Sequence, residues 1–165
     1  MTSLRTRALL LAPVATLALV LTPAVAASAH EGGGGNLIKA DFTPSLPTDA
    51  PIFGVKAGGA PWVLGEGEVR VRADGRIRVE LEGLQIPRAN GTKDNPVAKI
   101  VASLFCGGTL AARTAPQDLS VPGGDAKFRA TLAVPATCDM ATVLISPAAN
   151  TGVYIASAMA EADED

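Results

Sequence analysis

The chain has 165 residues, 48% hydrophobic but only 4% aromatic, and a formal net charge of −2. That balance disfavours nonspecific binding to nucleic acid or anionic membranes. The single histidine, His30, cannot supply a buried Ser–His–Asp or Cys–His machine in the usual way, and no phosphate loop, HExxH or dinucleotide fingerprint is present.

The chain opens with basic Arg5 and Arg7, an apolar run from Leu9 to Leu21 and then small residues from Ala24 to Ala29. This is the layout of a cleaved export signal over 1–29, its core too short for a comfortable membrane span. Ala27-Ser28-Ala29 is the better cleavage site and Ala24-Val25-Ala26 the alternative. Neither site carries a lipid-accepting cysteine, and no apolar segment follows near the C-terminus. A secreted, extracellular chain with no membrane span after cleavage is expected. Loss of Arg5 and Arg7 leaves 12 basic against 16 acidic residues, net −4. His30 then becomes the N-terminus, where its amine and imidazole offer two nitrogens to a copper ion. The further histidine that such sites use is absent, and a frayed tail accounts equally for the glycines that follow.

Residues 30–51 read as a flexible leader and a first edge strand: Asn36 to Phe42 alternates loosely, and Thr43 to Pro51 carries three prolines, an extended loop. Ile52 to Lys56 is expected to be a short strand, followed by a turn at Ala57-Gly58-Gly59-Ala60.

The best-patterned stretch runs from Pro61 to Pro87. Val69 and Val71 alternate with Glu68, Arg70 and Arg72; Ile77, Val79 and Leu81 alternate with Arg76, Arg78, Glu80 and Glu82. Period-2 alternation marks strands with one buried face. Parity then sets the turn. A two-residue Asp74-Gly75 turn would put Arg72 opposite Ile77 and mix the faces. A three-residue Ala73-Asp74-Gly75 loop pairs Val71 with Ile77, Arg70 with Arg78 and Val69 with Val79. That geometry is a type I turn with a G1 bulge and Gly75 left-handed. Arg70, Arg72, Arg76 and Arg78 then crowd the wet face near the turn, and Glu66, Glu68, Glu80 and Glu82 crowd it further down. Diagonal pairs, Arg70 with Glu80 and Arg78 with Glu68, are expected to relieve the repulsion, leaving Arg72 and Arg76 without an ionic partner on the hairpin.

Pro87 to Pro96 is a loop around the Asn90-Gly91 turn dipeptide, a reading preferred over a glycosylation sequon because the alanine-rich signal looks bacterial. Val97 to Cys106 is apolar on nearly both faces and reads as a central, doubly covered strand. Thr109 to Arg113 returns as a strand, Ala115 to Ser120 crosses loosely and Pro122 to Asp125 turns. Lys127 to Val134 alternates, with Lys127, Arg129 and Thr131 on the polar side. Ala141 to Ser146 and Val153 to Ala158 are the last strands before an acidic tail, 161–165. The expectation is an all-β fold: an antiparallel β-sandwich of about eight strands over 52–160. Cys106 and Cys138, the only cysteines in an oxidising compartment, are expected to form one disulfide.

Thr43-Pro44-Ser45-Leu46-Pro47, Ile52-Phe53-Gly54-Val55, Gly59-Ala60-Pro61-Trp62, Cys106-Gly107-Gly108 and Pro135-Ala136-Thr137-Cys138 together resemble a group of small exported actinobacterial proteins of unknown function, across nearly all of the chain after the signal. The resemblance implies location and little chemistry. The hairpin is also similar to CHRD-type β-domains, which alternate around an Asp-Gly turn, but the histidine-containing segment associated with them has no counterpart here.

These features point to a secreted, non-catalytic β-sandwich module with no cofactor, binding an extracellular protein or cell-envelope component. Its candidate anion or partner docking site is Arg70, Arg72, Arg76 and Arg78, since clustered guanidinium groups grip carboxylates, sulfates or phosphates. The plain alternative is a solvated charged face. A carboxylate-dependent hydrolase is the second function class, through Glu66, Glu68, Glu80 and Glu82, and needs a pocket where carboxylates converge. A protease inhibitor using the loops beside the cysteines is the third. Asn90, Asp94 and Asn95 match no calcium loop, and Trp62 and Tyr154 are expected in the core.

Overall fold

The structure, a computed structural model, describes residues 35–160. The expected signal segment, His30 and the acidic tail lie outside the described residues. The fold is all-β, with eight strands of four or more residues and six of only two among the described residues.

Four strands form the first sheet, in the order β1 (Asn36–Asp41), β4 (Glu66–Arg72), β5 (Arg76–Glu82) and β11 (Ala126–Thr131), all antiparallel. Each alternates, and the inward positions are Ile38, Val69, Val71, Ile77, Val79 and Leu81, all essentially without exposure. The second sheet is built on β8 (Lys99–Cys106) and β12 (Thr142–Pro147), flanked by β14 (Ala156–Met159) and β2 (Thr43–Pro44) on one side and by β9 (Thr109–Arg113) and β10 (Gln117–Asp118) on the other. Ile100, Ala102, Leu104, Val143, Ile145, Ala156 and Ala158 face the first sheet and close one core with it. Small aliphatics fill this core because the chain has few aromatics to spend there.

β8 and β12 are buried along almost their whole length, as the apolar run of β8 foretells. Their second face is covered by the chain between Ser45 and Trp62. There Ile52 and Val55 pack on Phe105, Leu144 and Tyr154. The expected Ile52–Lys56 strand is not formed. Ile52 and Val55 instead exchange both backbone hydrogen bonds across a two-residue turn, Phe53-Gly54, with φ of 49° and 82°. Two positive φ values make a type I′ turn, and the non-glycine residue in it stacks its ring on Phe105 at 5.4 Å between centroids. The strand at this place is β3 (Lys56–Ala57), which pairs in parallel with β13 (Val153–Tyr154). The expected Val153–Ala158 strand is accordingly split, Tyr154 leaving for β3 while Ala156 onward stays with β12.

The hairpin has the three-residue loop that parity requires. Val71 pairs with Ile77, Arg70 with Arg78 and Val69 with Val79, Gly75 N–H donates to the Arg72 carbonyl, and Gly75 has φ of 85°. The Asn90-Gly91 loop closes a small hairpin between β6 (Ile86–Pro87) and β7 (Lys93–Asp94), with the Asn90 side chain accepting from Thr92. Cys106, at the end of β8, is bonded to Cys138 in the loop before β12, with 4.6 Å between their Cα atoms.

Candidate functional site

The outer face of the first sheet is the place where chemistry gathers. Directly opposed residues on neighbouring strands share a face, so register alone builds its rows. Lys39, Arg70, Arg78 and Arg129 are mutually opposite along β1, β4, β5 and β11. One cation from each strand thus stands in a line about 14 Å long, at the usual strand spacing of about 4.8 Å. Arg72 and Arg76 flank this line on the turn side. On the other side, two residues further along the strands, Asp41, Glu68, Glu80 and Lys127 form the next row, and Glu66 faces Glu82 beyond it. The face is divided into a basic half and an acidic half.

Of the expected arginine quartet, Arg70 and Arg78 belong to the line itself. Lys39 and Arg129 complete it and were missed, although alternation already places Arg129 on the polar side of its strand. What was not legible is that β1 and β11 flank the hairpin, and that neighbourhood makes the line.

The ion pairs differ from the expected ones. Arg78 holds Glu80, and Arg70 lies 3.9 Å from Glu68; both are partners two residues along the same strand, not diagonally across the hairpin. Side chains in a strand lean along its direction, which favours such contacts. Lys127 Nζ adds a second cation to Glu80 at 3.0 Å. The hydrogen bond from Arg78, then that from Lys127, holds the Glu80 carboxyl below its usual range. Arg76 is not partnerless either. Its Nε donates to Asp74 at 2.8 Å within the loop, and this contact lowers the Asp74 carboxyl, with a lesser contribution from Arg72. Arg72 is half-buried opposite Asn36. Lys39 and Arg129 are exposed and have no ion-pair partner among the described residues.

Two shallow depressions mark the two halves. One of about 460 Å³ is lined by Arg70, Arg72, Arg76, Arg78 and Arg129. The other, about 670 Å³, gathers Asp41, Glu66, Glu68, Glu80 and Glu82 beside Arg70 and Arg78. The convergence of carboxylates that a hydrolase requires in outline is therefore present. A general acid needs one carboxyl raised above its usual range, and Glu80 is moved the opposite way by its two cations.

The other expected features are engaged structurally. Asp94 is paired with Arg88, which lowers its carboxyl, and the Asn95 side chain is buried, bonding Val97 and Ser120. Among the described residues no three His, Cys, Asp or Glu side chains come close enough together to hold a metal ion. Cys106-Gly107-Gly108-Thr109 is a two-residue turn whose Gly107 N–H is tied to Asp139. Tyr154 is buried, donates to the Ala50 carbonyl, and has its phenol raised by desolvation. Trp62 is buried beside Gly58. No helix is long and apolar enough to cross a membrane among the described residues.

Comparison with protein families, curated proteins and solved structures finds no match.

Proposed function

We propose that the protein is an exported, non-catalytic β-sandwich module that docks an extended anionic component of the cell envelope on the outer face of its four-stranded sheet. The observation that carries this reading is the in-register line Lys39–Arg70–Arg78–Arg129. Like charges directly opposite each other cost a sheet on the order of a few tenths of a kcal/mol per pair. The line contains three such encounters. A surface that only needed to be soluble would interleave signs, whereas a surface that grips a polyanion needs its cations aligned. The guanidinium groups of Arg70 and Arg78 each have N–H donors to spare beyond those turned to Glu68 and Glu80, since the side chain carries five. The acidic row lies about 7 Å away, within the screening length of about 8 Å at physiological salt, so it pushes a polyanion toward the Arg72 and Arg76 side of the line.

The test is retention of a linear polyanion such as polyphosphate by the purified chain over a salt series. Wild type is expected to bind at low ionic strength and release as salt rises. Arg78→Glu with Arg129→Glu is expected to weaken binding at least about tenfold, the scale of losing charge-assisted contacts of about 1.5–3 kcal/mol each. Absence of binding by wild type, or binding by the variant unchanged from wild type, would overturn the reading.

A further inference from the structure

The division of this face into a basic and an acidic half has a symmetry that the basic line alone does not explain. We infer that the face is self-complementary and that a second copy of this chain docks on it, face to face, about a two-fold axis.

The axis that makes it so can be derived. In a face-to-face pair the two-fold lies in the plane between the sheets. An axis along the strands would set each row on its own copy, like charge on like. An axis across the strands, running between the Lys39–Arg70–Arg78–Arg129 row and the Asp41–Glu68–Glu80–Lys127 row, exchanges the two. Each strand then lies over its own copy, running in the opposite direction. Arg70 faces the second copy's Glu68, and Arg78 its Glu80. Lys39 faces Asp41, and the flanking Arg72 and Arg76 face Glu66 and Glu82. Every encounter occurs twice, as an isologous interface requires. The only like-signed one is Arg129 with Lys127, at the β11 edge. Packed sheets twist by about 30° relative to one another, so the match is best at β4 and β5, the middle of the face.

Size sets the strength. Four strands at about 4.8 Å and seven residues at about 3.4 Å give a footprint of roughly 450 Å² per copy. A standard stable interface uses about 800 Å² per partner. The pair is therefore a weak, reversible and salt-sensitive dimer. It covers the basic line, so a polyanion and a second copy exclude one another. The inference rests on strand register and not on the polyanion reading.

Sedimentation velocity of the purified chain tests it. Wild type is expected to dimerise at about 0.02 M salt and to be monomeric at about 0.5 M, where charges are screened within a few ångströms. Arg70→Glu with Arg78→Glu, and separately Glu68→Arg with Glu80→Arg, are each expected to be monomeric at low salt. An equimolar mixture of the two is expected to recover the dimer, because each reversed row meets its opposite on the other variant. Thermal melts establish that each variant is folded; should the Glu→Arg pair fail to fold, Glu68→Gln with Glu80→Gln replaces it and must also lose the dimer. A wild type monomeric at low salt, a dimer surviving either folded variant, or folded variants that fail to complement would overturn the inference. Polyanion binding by the Arg→Glu variant is not restored by mixing, so this outcome and that of the polyanion experiment are read separately.

Discussion

At the scale of single residues, backbone conformation is where the chain has least freedom. Gly75 ends the hairpin loop in the left-handed region, and a Cβ placed there would lie 2.2 Å from the carbonyl oxygen of Leu132. That neighbour is backbone, held in place by a hydrogen bond from Leu132 N–H to the Gly75 carbonyl. Gly91 has a similar φ of 83° but open space around it. The pair separates conformational strain from collision. Gly91→Ala is expected to cost about 1 kcal/mol and Gly75→Ala about 3 kcal/mol or more, the difference being displaced backbone. Urea unfolding of both variants measures it, and equal losses would show that the Leu132 contact does not matter. The Gly75 conformation was legible, because parity demanded a bulge. The type I′ turn at Phe53 was not, since neither residue type nor spacing distinguishes Ile52-Phe53-Gly54-Val55 from a short strand; what decides it is the stacking of Phe53 on Phe105, a contact between distant parts of the chain.

At the scale of elements, strands with clear alternation or continuous apolar character were legible: β1, β4, β5, β8, β9, β11 and β12 fall where period and composition place them, although β11 ends at Thr131 where the alternation runs on to Val134, and β8 begins at Lys99 rather than Val97. The two-residue strands β2, β3, β6, β7 and β10 were not, because a two-residue pairing has no period to read and exists only through its partner; β13 and β14 read as one strand, and only their different partners show the break between them. Sheet order was illegible for the same reason, and with it the cation line. The Cys106–Cys138 bridge could be read from the cysteine count together with the expected export signal. It ties the end of β8 to the loop before β12, across a sequence separation of 32 residues. In the chain-entropy model a loop of this size contributes about 3–4 kcal/mol. Cys106→Ala with Cys138→Ala is expected to lose that amount, measured as a fall in denaturant midpoint with a steeper slope, because the unbridged unfolded chain exposes more surface. Because Thr142 pairs with Phe105 without help from the bridge, the double variant should keep its fold.

At the scale of the whole molecule, the inner faces of both sheets are dry and the charged side chains lie outside them. Carboxylates paired with cations shape the response to acid. Asp74, Glu80 and Asp94 all have folded-state values held below the ordinary range by arginine partners. A carboxyl lowered in this way contributes stability above its unfolded value, about 4, and that stability is lost as pH falls through the folded value. Asp74 is exposed and Glu80 and Asp94 are partly so, and each contribution is therefore screened and small. Thermal midpoints are accordingly expected to be level from neutral pH down to about pH 5 and to decline below about pH 4. Glu80→Gln should flatten part of that decline. A midpoint that rose on acidification would contradict the assignment of these pairs.

The cation line also ties recognition to folding. Lys39, Arg70, Arg78 and Arg129 come from four strands spread over most of the described chain, and only the closed sheet sets them in register. The unfolded chain offers those charges as isolated points. Whatever occupies the line, polymer or second copy, binds the native state and draws the folding equilibrium with it, by about 2.7 kcal/mol when present at a hundred times its dissociation constant. Occupancy of the line thereby becomes resistance to unfolding, and the unoccupied fold is the more perishable one.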